Sequence, residues 1–247
     1  NLVQGNILEK KGTTNLYPKW SENGDRIAYI SNQDNDYFGQ TDLYVYNVKD
    51  SLSKKLLPGV KFAPAWINDS TLIFTLKDKP NKNGSRFYNL YMMNLNQDEP
   101  DQLTKDSRLR SPIYNKSTNQ LVALSTIDGT SNIYISDLDS IDFKKISNFT
   151  DQEYISSISW GNESNLLIFD MVENHGRNIY QFNIEDQTVR KIIDTMTDNR
   201  NAVIRDSAIY FSHEYNGIFN IAVQTNDNKV RYITNIPGGA FMPDVSS

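Results

Sequence analysis

Apolar residues in this chain gather in short runs separated by polar turns. The runs are RIAYI (26–30), TLIFTL (71–76), QLVAL (120–124), LLIFD (166–170) and AIYFS (208–212). Each has strand length and is bounded by turn-forming residues. No window holds apolar residues at i, i+3, i+4 and i+7 free of turn punctuation, so no helix is predicted.

The runs belong to a longer repeat. Aligned on the aromatic of a Pro-x-Trp pattern, Trp20, Trp66, Tyr114, Trp160 and Ile204 fall at intervals of 46, 48, 46 and 44 residues. Two residues earlier stand Pro18, Pro64, Pro112, Ile158 and Ala202. A second landmark follows each run: Asp42-Leu43-Tyr44, Asn89-Leu90-Tyr91, Asn132-Ile133-Tyr134, Asn178-Ile179-Tyr180 and Asn220-Ile221-Ala222. A short Asp or Asn side chain can bond nearby backbone and start a strand. The aliphatic and the Tyr after it point to opposite sheet faces, and both are buried when sheets stack. A third landmark closes each repeat and reads as the outermost strand: Leu56-Leu57, Leu103-Thr104, Ile146-Ser147, Ile192-Ile193 and Ile233-Thr234.

A period near 45 residues with four strands per repeat predicts an all-β fold, a β-propeller of four-stranded antiparallel blades. Residues 1–247 are read as a single propeller domain with blades near 15–60, 61–107, 108–152, 153–198 and 199–239. Residues 1–14 and 240–247 read as parts of a further blade, since Pro243 and Val245 fall where Pro18 and Trp20 fall. The expectation is five full repeats within an excerpt of a longer protein, six-bladed or larger when intact.

The segment YPKWSENGDRIAYIS (17–31), followed by Asp-Leu-Tyr and by Leu-Thr-type closures, resembles the TolB-like family of propeller repeats. The later repeats are degraded, and the fifth lacks both Pro and Trp. The resemblance implies a scaffold of the kind found in TolB itself and in tricorn-type proteases. Such scaffolds also precede the hydrolase domain of prolyl-oligopeptidase-like enzymes and occur in bacterial envelope proteins that carry a peptidase-like domain. A periplasmic or envelope location follows from it as an expectation. Fold alone does not set function.

The net charge is −5 and no basic stripe is visible along the chain, which argues against nucleic acid as a partner. No apolar run is long enough for a membrane span, so direct membrane insertion is not expected. With no cysteine, disulfides and thiolate metal sites are excluded. The Gly-x-Ser-x-Gly nucleophile pattern is absent, and neither His175 nor His213 sits in a His-Glu-x-x-His motif. Asp34-Asn35-Asp36 with Gly39 only faintly resembles a calcium loop and lacks its closing Glu. No catalytic residue, metal or cofactor is therefore assigned. Asn-x-Ser/Thr triplets at Asn68, Asn83, Asn115, Asn148 and Asn162 are read as ordinary turn sequence.

The second-to-third strand loops remain as carriers of function. They read as 31–41, 77–88, 125–131, 171–177 and 212–219, on the same face as the loops that join repeats. The first two are long. They hold Tyr37, Phe38, Arg86 and Phe87, and the later ones hold His175, Arg177, His213 and Tyr215. The inter-repeat loops add Arg108, Arg110 and Arg200. Aromatic and Arg side chains are the types enriched at binding hot spots. The function expected is non-catalytic protein or peptide binding on this loop face. The alternative is a substrate-gating propeller whose peptidase domain lies outside the chain.

Overall fold

The structure is a computed structural model that describes residues 13–37, 39–173 and 176–246. The expected all-β architecture and its five four-stranded antiparallel repeats are what it shows. Sheet 1 holds β1 (Asn15–Trp20), β2 (Arg26–Ser31), β3 (Asp42–Asn47) and β4 (Leu52–Pro58). Sheet 2 holds β5 (Ala65–Asn68), β6 (Thr71–Lys77), β7 (Tyr88–Asn94) and β8 (Asp101–Gln102). Sheet 3 holds β9 (Leu109–Asn115), β10 (Gln120–Ile127), β11 (Thr130–Asp137) and β12 (Lys144–Lys145). Sheet 4 holds β13 (Ile155–Trp160), β14 (Leu166–Glu173), β15 (Gly176–Asn183) and β16 (Val189–Ile193). Sheet 5 holds β17 (Asn199–Arg205), β18 (Ala208–Tyr215), β19 (Ile218–Gln224) and β20 (Val230–Tyr232). In every sheet the spatial order follows the chain, so each is an up-and-down meander.

The chain divides into two compact units, residues 1–114 with 246–247, and residues 115–245. In the first, the β2–β3 face of sheet 1 and the β6 face of sheet 2 share one apolar core that includes Ile30, Leu43, Leu72 and Phe74. In the second, Ile168 and Ile179 of sheet 4 pack with Ala202, Phe211 and Ala222 of sheet 5. Full burial of side chains such as Phe74 and Phe211 contributes about 1.5–3 kcal/mol each. Trp20, Trp66 and Trp160 are half-buried. Trp66 still joins two sheets within its unit: it packs on the shared core, and its indole Nε1 donates to the Lys19 carbonyl at 2.8 Å.

The second and third sequence landmarks turn out to be bonded to each other. The Asn89 side-chain oxygen accepts from the Thr104 hydroxyl, which in turn accepts from the Leu90 amide. Asn132 with Ser147, and Asn220 with Thr234, repeat this clasp on Ile133 and Ile221. Asp42 makes the equivalent closure in sheet 1 with the Gly59 amide at 3.1 Å and with Lys55. Burial opposes the charge of Asp42, but Lys55, Asn35 and the Gly59 amide outweigh it and hold its carboxyl below the usual value. The landmark Tyr carries a second clasp. Tyr44 donates to Asp34 and Tyr91 to Asp78, both at 2.6 Å, and Tyr180 donates to Glu173. Burial and then the Asp78 carboxylate push the Tyr91 phenol up to about 12.

The cross-strand partner of that Tyr varies. Tyr29 stacks on Tyr44 and Phe169 on Tyr180, at centroid distances of 5.5 and 5.7 Å. Tyr134 faces Ala123, and in sheet 5 the sizes reverse, with Phe211 opposite Ala222. A large–small pair thus replaces a stacked pair in sheets 3 and 5.

Residues 240–246 carry no strand, and residues 1–12 lie outside the described residues, so the further partial blade is not seen. Met242 does repeat one local feature. Its φ is 56°, like Tyr17 (54°), Ser111 (51°) and Asn201 (55°), the residue before the Pro or its equivalent in other repeats. Its amide donates to Ser212 Oγ at 2.9 Å, as the Asn201 amide donates to Asp170 Oδ2 at 3.0 Å.

Candidate functional site

In each antiparallel meander the second-to-third strand hairpin and the connection to the next sheet lie at one end. Two of these hairpins are long. Residues 32–41 link β2 to β3, and 78–87 link β6 to β7. Two of the others are tight, and residues 174–175 between β14 and β15 lie outside the described residues. Asp128-Gly129 and Asn216-Gly217 have positive φ at both positions, the conformation of a two-residue type I′ turn. The stretches 125–131, 171–177 and 212–219, read as loops from the sequence, are mostly strand. Arg177 and His213 lie inside β15 and β18, and Tyr215 ends β18. The reason is geometric: a two-residue turn lets the ladder run almost to the hairpin tip.

The 78–87 hairpin is ordered by its own polar groups. The Asp78 amide donates to the Phe87 carbonyl at 2.9 Å. Asn81 Oδ1 accepts the amides of Asn83 and Ser85, and Gly84 supplies φ +76°. Arg86 is exposed, with its Nε on the Asp78 carbonyl at 2.8 Å. Asp78 is occupied internally by Tyr91, Asn89 and Gln102. Phe87 is half-buried and carries the Arg108 guanidinium 4.6 Å from its ring centre. Lys77 sits 4.8 Å over Tyr88, and Tyr88 meets Phe62 edge-on at 5.0 Å. Arg110, nearly buried, lies 5.5 Å from the Phe62 ring.

The 32–41 hairpin differs. Tyr37 is 72% exposed. Asp34 is bonded to Tyr44, and Asn35 reaches the Gln40 carbonyl and Asp42, so these side chains hold the loop itself. Phe38 and His175 lie outside the described residues.

In the second unit the named residues do different work. Asp198 receives both Arg177 and Arg200. Arg200 also lies 4.8 Å from the Phe219 ring, and the Asp198 carboxylate raises its pKa. Gly176 is required beside this pair. Its φ is +140°, and an added Cβ would stand 3.1 Å from the Asp198 Cα. His213 Nδ1 bonds Asn199 Oδ1 at 2.6 Å. The Asn199 amide group already donates to Thr195 Oγ1 and Asn178 Oδ1, so its oxygen is the acceptor and His213 Nδ1 the donor. The His213 ring packs between Phe211 and Tyr232, and burial pushes its pKa down. Tyr215 is exposed.

Sequence reasoning passed over a cavity of about 690 Å³ between sheets 4 and 5, floored by Ile168, Ile192, Ile204 and Ile209 and rimmed by Glu163 and Arg190. Its floor residues looked like ordinary strand core. Among the described residues no cluster of three His, Cys, Asp or Glu side chains stands at metal-binding spacing.

The profile of the TolB beta propeller domain matches residues 3–240. The chain belongs to the TolB β-propeller family. Its five sheets are blades of that family. No match was found among curated protein sequences. Among solved structures the chain is similar to TolB from Acinetobacter baumannii, at 14% identity and a TM-score of 0.68 over 91% of this chain and 54% of that one. The chain thus spans about half the length of that TolB. It is similar to a putative TolB from Agrobacterium tumefaciens at 13% identity and a TM-score of 0.68, covering 92% of this chain and 83% of that one. It is also similar to the β-propeller domain of the Trilobed protease from Pyrococcus furiosus, at 15% identity and a TM-score of 0.59, covering 90% and 71%. At these identities the likeness is one of fold.

Proposed function

We propose that this TolB-family propeller is a non-catalytic protein- or peptide-binding scaffold of a bacterial cell-envelope protein, and that it binds through the hairpin ends of its blades. One observation carries the reading. The polar groups of the repeated landmarks are taken up in clasps that hold each blade, whereas the cationic side chains of the ordered 78–87 hairpin are exposed and its Phe87 is half-buried under the exposed Arg108. A rigid strand framework under such a hairpin suits recognition more than chemistry. The TolB likeness supports the envelope location.

The test is site-specific photo-crosslinking in a cell-envelope fraction. A photoreactive side chain at Phe87 should give discrete protein adducts that one at Gln97, on the turn at the opposite end of sheet 2, does not. Equal labelling at both positions, or none at Phe87, would contradict the reading.

The likeness to a protease propeller supports a second reading, a substrate-gating propeller whose catalytic domain lies elsewhere in the parent protein. A Gly-x-Ser-x-Gly domain encoded downstream favours it. A His-Glu-x-x-His domain encoded upstream favours the envelope peptidase–propeller type instead.

A further inference from the structure

Sheet 2 is electrically polarised along its strands. Its hairpin end and the adjoining 103–108 connection carry Lys77, Lys79, Lys82, Arg86, Lys105 and Arg108. All six are exposed. The acids there are Asp78, bonded internally, and Asp106. The opposite turn, 94–101, carries Asp98, Glu99 and Asp101 and no cation. The ends of β7 lie roughly 20 Å apart at the rise of a strand, beyond a Debye length in physiological salt, so the acidic end does not cancel the basic one.

These cations also lack carboxylate partners. Among the described residues none of the six forms an ion pair. Elsewhere cations are mixed: Lys55 pairs with Asp42, Lys191 with Glu173, Arg200 with Asp198 and Arg231 with Asp227. Others such as Lys54 and Lys144 form no ion pair among the described residues, so what marks sheet 2 is the gathering of six at one end. In a chain of net charge −5, such a local excess of unpaired cations is a site for an anionic group.

We infer that the hairpin end of sheet 2 binds an acidic peptide segment, its carboxylates pairing with Arg86, Arg108 and the lysines around them. This rests on the binding role proposed above and names the partner's chemistry. The aromatic rings discriminate between anions. Arg108, Lys77 and Arg110 lie against Phe87, Tyr88 and Phe62, so a cation takes one face of each of these half-buried rings, which leaves less ring surface for stacking bases. Positioned guanidinium groups match carboxylates two bonds at a time.

The experiment is selection from a random library of peptides about twelve residues long, at physiological salt, with wild-type chain as bait. Selected peptides are then measured against Lys82→Glu/Arg86→Glu and, as a fold-neutral check, Lys82→Gln/Arg86→Gln. The expected result is enrichment of Asp/Glu-rich peptides whose affinity falls roughly tenfold or more in the charge-reversed variant, less in the neutral one, and also falls as salt rises. Neutral or basic peptides that lose affinity on Phe87→Ala would overturn the acidic-partner inference and leave the hairpin-end reading standing. Peptides indifferent to all three variants would overturn both. Tighter binding of single-stranded oligonucleotides or anionic vesicles than of any selected peptide would overturn the inference as well.

Discussion

Arg108 and Asp198 hold the same place in the repeat, six residues before the aligned Tyr114 and Ile204, yet they do opposite things. Arg108 leans on Phe87, and its charge faces outward. Asp198 packs against Gly176, at the repeat position that Phe87 holds in sheet 2, and gathers Arg177 and Arg200. The backbone platform is shared. In one region an acid closes it into a structural joint. In the other the acid is replaced by a cation and the glycine by an aromatic, and the charge is left for a partner. One family of strand clasps therefore supports both a sealed end and an open one.

The frame common to both regions sets the largest expected effect. Asn89 is fully buried, and its oxygen accepts from Thr104 and from the amide and hydroxyl of Ser107. Asn89→Ala leaves these donors unpaired and should cost about 2–3 kcal/mol, with Asn178→Ala close behind. Urea denaturation reads both. If either is silent, the clasp is not what holds the blade edge.

Next is the sealed end. Asp198→Ala strands Arg177 and Arg200, whose shared partner is largely buried. The expected loss is about 2 kcal/mol, roughly 5 °C in thermal midpoint for a chain of this length. Arg108→Asp should change stability by only about 0.5 kcal/mol, since it disturbs one exposed cation–aromatic contact. Equal costs at the two positions would erase the distinction between sealed and open.

The smallest effect is in pH. His213 has its pKa lowered by burial from 6.5, so the folded chain binds fewer protons there than the unfolded chain. Its contribution to stability is full above that unfolded value and is lost as pH falls through the folded one. Between roughly pH 7.5 and 5.5 the wild type should lose more thermal stability than His213→Gln, which keeps the donor to Asn199 without titrating. Parallel profiles would show that His213 does not couple to folding.

Much of the fold was legible because each repeat writes its clasp in residue types. The Asn or Asp at the start of the third strand, and the Leu-Thr or Ile-Ser that closes the repeat, are hydrogen-bonding partners, and such pairs recur at fixed spacing. The hairpin lengths were less legible. The Asp128-Gly129 and Asn216-Gly217 turn signals stood in the sequence, but only the structure shows the ladder continuing to the latter, which moves His213 into β18, and β15 starting at Gly176, which moves Arg177 into a strand. The Arg177–Asp198 pair was hidden because its partners lie 21 residues apart and meet only when two sheets pack. The shared face of Arg86 and Arg108 was legible, but that none of the cations around them has a carboxylate partner among the described residues shows only once the side chains are placed.

The most direct test of the open end is the affinity of one Glu-rich peptide, measured by titration calorimetry at physiological salt, for wild type, Arg108→Asp and Asp198→Asn. The account predicts binding to wild type that weakens roughly tenfold or more in Arg108→Asp and is unchanged in Asp198→Asn. Equal affinity for wild type and Arg108→Asp would contradict it.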